Sequence, residues 1–361
     1  MEITFDKFIY PNDLQRQREL FVECFPENIG TSAASIEHYL WKFRSFPNNN
    51  TDKAYEYVAR LDGRIVGYYA GLPYEYLVST KKVKVAMVCD VMTAKEARGK
   101  GIFTKLGIYA TSMFKEAGCS FSIGFPIRPE VIPGHLKAGW KVLFRIPMVG
   151  RFMRTDKFLE YHGLGVLSHG ANVVTYFLSK VITLLNPIRD DVSVEDYSSS
   201  HLENIDGLDE FFEAYKIGRE IELNKTVNYL KWRLGAPDRE YRIIVIRKDQ
   251  KIVGYSLVRK VTKEGTPCLG VLDLCLLKGY ESYSKYIVDR MTKLAKDDDI
   301  ELILMMIMDD KIRDYRLYKN GFMKTPYKFS FIVKELNNDI YSSALSNKRN
   351  WDLMWIDSDD L

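Results

Sequence analysis

Cysteine is scarce: five in 361 residues, none at CxxC spacing. That excludes a disulfide scaffold and a zinc ribbon, and it suits a reducing compartment. No metal site is expected. One-signed charge is also missing. Fifty-two basic against 48 acidic residues leave +4, too slight an excess to mark a nucleic-acid partner. Long hydrophobic runs are absent as well. The most apolar long stretch, ANVVTYFLSKVITLLNP at 171–187, is shorter than the ~20 residues a bilayer requires, and Lys180 interrupts it. A buried or linker helix is expected there, a membrane-surface helix is the lesser alternative, and no span is expected. The opening MEITFDKFIYPNDLQRQ has charges where a secretory signal needs an apolar core. A cytoplasmic location is therefore expected.

Aromatics are plentiful, with 23 Tyr, 19 Phe and 5 Trp, and 46% of residues are hydrophobic. This is the composition of a folded chain and not of a disordered one, a collagen or a coiled coil. The chain also repeats itself. RLDGRIVGY at 60–68 and RKDQKIVGY at 247–255 share six of nine positions. HYLWKFRSFP at 38–47 is echoed by NYLKWRLGAP at 228–237, and VCDVM at 88–92 by VLDLC at 271–275. Three echoes in one order point to two copies of one fold. The expected organisation is a first domain at 1–150, a partly helical linker at 151–190, a second domain at 191–336 and a Trp/Asp-rich tail at 337–361.

Each copy reads as α then β. A helix around 33–44 ends before Pro47. Alternating strands follow, with Asp62-Gly63 supplying a tight hairpin turn. VKVAMVCDVM reads as a strand, then comes a glycine-rich turn, then a helix from Ile102 with apolar residues at helical spacing. The fold class is a mixed α/β sheet. The turn, Thr93-Ala94-Lys95-Glu96-Ala97-Arg98-Gly99-Lys100-Gly101-Ile102-Phe103-Thr104, carries the chemistry. Glycines flanking a lysine let the backbone aim several N–H groups one way, and the following helix adds its free N–H groups and positive dipole end. Such a turn holds a pyrophosphate. It is not a P-loop, and Thr104 stands where a dinucleotide fingerprint needs its third glycine.

Strand, then RGKGI, then helix resembles the acetyl-CoA signature Arg-x-x-Gly-x-Gly/Ala of the GNAT superfamily of N-acetyltransferases. Arg98 and Gly101 match, and Phe103 departs at the last small position, where it is expected to narrow the space beside the pyrophosphate. AMVCDVMT at 86–93 resembles the family's splayed fourth strand, and PGHLKAGWK at 133–141 its later YxKxGF segment. The resemblance implies two acyl-CoA N-acyltransferase-like domains in tandem. It implies acetyl-CoA as co-substrate, held by Val91, Met92, Thr93, Arg98, Gly99, Lys100, Gly101, Ile102, Phe103 and Thr104. The second copy has LKGYESYSKY at 277–286 in place of the signature, so it resembles a degenerate domain.

The implied activity is N-acetylation of an amine on a small molecule or amino-sugar. The resemblance implies an acid for the leaving thiolate five positions before Trp140, where the family often has Tyr; His135 stands there, and an imidazole titrates near neutrality. Asp90 is the candidate base, although Asp273 matches it in the copy without the signature. Cys89 reads as a core residue. Backbone N–H groups around Val91–Thr93 are expected to polarise the thioester carbonyl. The tail WDLMWIDSDDL reads as an anchor, with a sugar- or amine-binding face as the alternative. A non-catalytic acyl-CoA-binding scaffold and a Fem-like aminoacyltransferase are the rival functions. Oligomeric state is not legible.

Overall fold

The computed structural model describes residues 2–47, 54–185, 187, 192–337 and 341–359. The elements of the first half are β1 (Ile3–Lys7), α1 (Leu14–Cys24), α2 (Ile36–Arg44), β2 (Tyr55–Leu61), β3 (Arg64–Val78), β4 (Lys81–Thr93), α3 (Ile102–Glu116), β5 (Phe121–Gly124), α4 (Ile132–Lys137) and β6 (Lys141–Phe152). There follow α5 (Asp156–Tyr161), α6 (Ser168–Leu185), β7 (Ser193–Ser198), α7 (Leu208–Lys216), β8 (Ile221–Leu223) and α8 (Val227–Leu234). The remainder holds β9 (Tyr241–Lys248), β10 (Lys251–Lys263), β11 (Thr266–Leu276), α9 (Ser284–Asp297), β12 (Leu302–Met306), α10 (Asp309–Asp314) and β13 (Met323–Glu335). The mixed α/β class is as the sequence implies.

Two compact units form. One comprises Met1–Arg145, Arg219–Asp238 and Ser330–Trp351, the other Ile146–Gly218, Arg239–Phe329 and Asp352–Leu361. Within the first, β1, β2, β3 and β4 pair antiparallel in succession, and β4 pairs with β5 in parallel. The end of β13 then joins β5 antiparallel, with Ile332 opposite Gly124. The second unit repeats this scheme. Strands β7, β9, β10 and β11 are antiparallel, β11 and β12 parallel, and the end of β6 joins β12 antiparallel with Phe152 opposite Leu302. Each unit thus takes its sixth strand from the other half of the sequence. Boundaries drawn along the chain at 150, 190 and 336 do not coincide with these units. Alternation marks a segment as a strand but not which edge it will join.

Local chemistry accounts for the hairpins and helices. Asp62 and Gly63 both take positive φ, +48° and +83°, the backbone of a tight turn between twisted strands. Asp249 and Gln250 adopt the same geometry at the second hairpin, +49° and +66°. Helix α2 begins at Ser35, whose side chain accepts the His38 N–H, and α8 at Thr226, which accepts from the Tyr229 N–H. Helix α3 buries Ile102, Leu106, Ala110 and Phe114 against the sheet.

The tail corrects one alternative. Trp351 and Trp355 are 3% and 0% exposed, so neither presents a ring for a sugar. The Trp351 indole N–H donates to the Leu345 carbonyl. Asp352 accepts from the Tyr215 hydroxyl, and Asp357 from the Met354 N–H. Asp360 lies outside the described residues. Among the described residues no helix is long and apolar enough to cross a membrane.

Candidate functional site

Strand β4 runs on to Thr93 but pairs with β5 only over Val85–Met87. Beyond Met87 the two strands part. The β5-facing edge of Val88–Thr93 has no strand neighbour among the described residues. A bulge sits at the same place. The register against β3 passes from Cys89 opposite Ala70 to Met92 opposite Tyr68, leaving Asp90 and Val91 facing the single residue Tyr69. Asp90 takes φ +48° there. An extra residue of this kind bends a strand and ends regular pairing. The Asp90 carboxylate is held by Lys42 Nζ of α2 at 2.8 Å.

The glycine-rich turn follows β4. Gly99 and Gly101 have φ of +77° and +72°. A Cβ at either would meet nothing within 4 Å, so backbone conformation and not crowding selects glycine. The Ala97 and Arg98 N–H groups bond back to Ala94 and Lys95, and the first bond of the helix runs from the Lys105 N–H to the Gly101 carbonyl. Between them, the N–H groups of Gly99, Lys100, Gly101, Ile102, Phe103 and Thr104 have no acceptor among the described residues. The first turn of α3 carries no acidic side chain. Lys95, Arg98, Lys100 and Lys105 are exposed around it. Arg98 Nε donates to the Thr93 carbonyl, tying the turn to the end of β4. Free N–H donors, a helix N-terminus and surrounding cations are the features a phosphate-binding cradle requires.

Phe103 fits because of a glycine on another helix. Its ring lies where a Cβ on Gly134 of α4 would come within 2.5 Å. The Phe103 ring is seated against α4. His135 is next to it, buried at 4% exposure with rings of Phe103, Trp140 and Tyr69 at 5.0, 5.3 and 6.2 Å. Its Nδ1 has no hydrogen-bond partner among the described residues. Burial lowers its pKa to about 4. An imidazole so placed is neutral at pH 7 and carries no acidic proton of the imidazolium kind. Such burial weighs against the proton-donor role expected of His135 from the sequence.

The turn at the corresponding place in the second unit is closed by its own side chain. Gly279, after β11, takes φ +91°, but its N–H is 3.0–3.1 Å from the two carboxylate oxygens of Glu281. The chain's own anion occupies that donor. Asp273, the counterpart of Asp90, is fully buried and accepts from the Leu274 N–H.

Sequence reasoning missed a buried polar cluster beside the bulge. Glu56 on β2 accepts from the hydroxyls of Tyr39 at 2.7 Å and Tyr68 at 2.6 Å, and pairs with Arg44. Burial raises its pKa, against the opposing pull of Arg44. The signal was present as a glutamate inside AYEYV, a strand otherwise apolar and aromatic. Arg18 is buried too, with its guanidinium over the rings of Phe21 and Tyr39.

Residues 7–142 match the model of an acetyltransferase (GNAT) domain. No curated protein matches the chain. Solved structures do. A GCN5-related N-acetyltransferase from Anabaena variabilis is 15% identical with a TM-score of 0.63, over 93% of this chain and 73% of that one. A probable N-acyltransferase from Enterococcus faecalis is 10% identical with a TM-score of 0.64, over 94% and 74%. Saccharomyces cerevisiae N-myristoyltransferase, solved with myristoyl-CoA, is 12% identical with a TM-score of 0.59, over 92% and 79%. At these identities the likeness is one of fold.

Proposed function

We propose that the first unit, whose residues 7–142 match the model of an acetyltransferase (GNAT) domain, transfers an acetyl group from acetyl-CoA to an amine of a small molecule. The observation that carries this is the run of six unbonded N–H groups from Gly99 to Thr104, at a helix start ringed by lysine and arginine. The pyrophosphate of CoA is their ligand. The open edge of β4 from Val88 to Thr93 offers backbone partners to the pantetheine arm, which brings the thioester to the bulge. There the N–H groups around Val91–Thr93 polarise the carbonyl.

The amine nitrogen attacks the thioester carbon, the tetrahedral intermediate collapses, and the carbon–sulfur bond breaks. The proton lost by nitrogen ends on sulfur through solvent, since a thiolate leaves without an acid. Backbone polarisation is the main term, worth about 3–4 kcal/mol per donor in comparable acyl transfers. Asp90, locked to Lys42, holds the bulge in shape. His135, neutral, positions Phe103 and Trp140. The second unit is read as binding no CoA, because Glu281 fills the equivalent donor.

Thermal melting with acetyl-CoA tests the reading. A ligand at 100 times its Kd stabilises the native state by about 2.7 kcal/mol. Gly101→Asp, which sets a carboxylate beside the cradle, should abolish the shift. An unchanged shift in that variant moves the site elsewhere. A panel of small amines scored by release of free CoA thiol separates an enzyme from a scaffold. Running acetyl-CoA against myristoyl-CoA fixes the acyl length.

A further inference from the structure

Helix α6 is built inside out. Over its 18 residues, Ser168, Ala171, Asn172, Thr175, Ser179 and Ile182 recur at helical spacing and are its least exposed positions. They form the face set on the protein. Asn172 accepts from the Thr155 N–H and donates to Asp156, and Ile182 seats over Gly321, where a Cβ would come within 2.7 Å of it. The opposite face holds Val173, Val174, Phe177, Val181, Leu184 and Leu185, each 43–79% exposed. The turn before the helix extends the patch with Val166, 95% exposed, and Leu167. A surface helix of a soluble fold puts these faces the other way round, and an exposed apolar patch of this kind marks a docking surface.

The charge pattern identifies the occupant. No Asp or Glu occurs between Tyr161 and Pro187. Lys180 and His169 flank the apolar arc on one side, next to Tyr176, and Lys285 donates to the Pro187 carbonyl beyond the helix end. Apolar side chains bordered by Lys180, Lys285 and an aromatic, without a carboxylate, complement an anionic lipid surface. We propose that α6 lies flat on an anionic membrane, its Phe177–Leu184 face in the acyl boundary and Lys180 among the headgroups. The helix is too short and too interrupted to span, so the contact is peripheral and reversible.

The test uses the full chain and co-sedimentation with two kinds of vesicle, phosphatidylcholine alone and phosphatidylcholine with phosphatidylserine. Binding should favour the anionic vesicles and weaken with added salt. The double variant Phe177→Glu/Leu184→Glu should lose binding by at least about tenfold. Lys180→Glu should lose the preference for anionic lipid. The altered side chains point outward, so the melting temperature should hold, and circular dichroism checks that it does. Failure to pellet with either vesicle overturns the proposal. So does a concentration-dependent dimer dispersed by Phe177→Glu/Leu184→Glu, which would make the face a contact between copies of this chain.

Discussion

The indoles of Trp41 and Trp232 stack at 5.2 Å with an interplanar angle of 11°, and each N–H donates to the other's backbone carbonyl, at 2.6 and 3.0 Å. Both belong to the first compact unit, one from α2 and the other from α8. They are the two tryptophans of the HYLWKFRSFP and NYLKWRLGAP echoes. The repeat therefore marks two helix surfaces that recognise one another through the same side chain.

Replacing either tryptophan by Phe should cost about 1–3 kcal/mol, because each removes a buried N–H···O=C hydrogen bond together with the indole packing. The double variant should cost less than the sum, with a coupling of roughly 0.5–3 kcal/mol. Urea unfolding of the four proteins measures it. Strict additivity would mean that the reciprocal geometry contributes nothing.

Stability should fall on mild acidification because of His135. Its folded pKa, about 4, lies below the unfolded value, so the neutral form is the one that folds. The contribution is present above pH 6.5 and is lost as pH drops from 6.5 towards 4, by up to about 3 kcal/mol. His135→Leu should flatten that part of the stability–pH curve. Its turnover at pH 7 should change by far less than the 10²–10⁴-fold that loss of a general acid costs. A loss of that size at unchanged stability would restore the acid role.

Gly134→Ala should be destabilising by about 1–3 kcal/mol, since the new methyl overlaps the Phe103 ring. Phe103→Ala introduced with it should relieve the overlap, recovering acetyl-CoA affinity if Phe103 is displaced towards the cradle in the single variant. Calorimetric titration with acetyl-CoA follows both.

The second hairpin holds a non-glycine residue where the first has glycine. Gln250 at φ +66° bears the left-handed penalty that Gly63 avoids. Gln250→Gly should raise stability by about 1 kcal/mol, and Gly63→Gln should lower it similarly. Thermal melts of both variants check the pair.

Much of this was legible along the chain. The Asp62-Gly63 turn, helix α3 and the Gly99–Gly101 cradle follow from local rules that need no knowledge of distant partners. The repeat gave the second unit by analogy, and the loss of the Arg-x-x-Gly-x-Gly signature at 277–286 gave the expectation that it holds no CoA. The carboxylate of Glu281 in that place was not visible, because a side chain folding back on its own loop leaves no pattern. His135 was read from its ordinary titration, and its burial among Phe103, Trp140 and Tyr69 depends on three separate elements. The tyrosines around Glu56 looked like core aromatics until their hydroxyls were placed. The pairing of β13 with β5, and of β6 with β12, is set by which edges stand open when strands meet, and no spacing records that.

The crossing of those last strands decides what a ribosome can release in working order. Strand β5 waits for residues near 332, some two hundred positions later in synthesis, so the first half of the chain emerges with an unpaired edge. A fragment cut at residue 150 would keep every residue of the cradle and still expose that edge to aggregation. Gene fusions, truncations and split reporters for this protein belong at the outer termini or in surface loops, and not at the midpoint that its sequence repeat advertises.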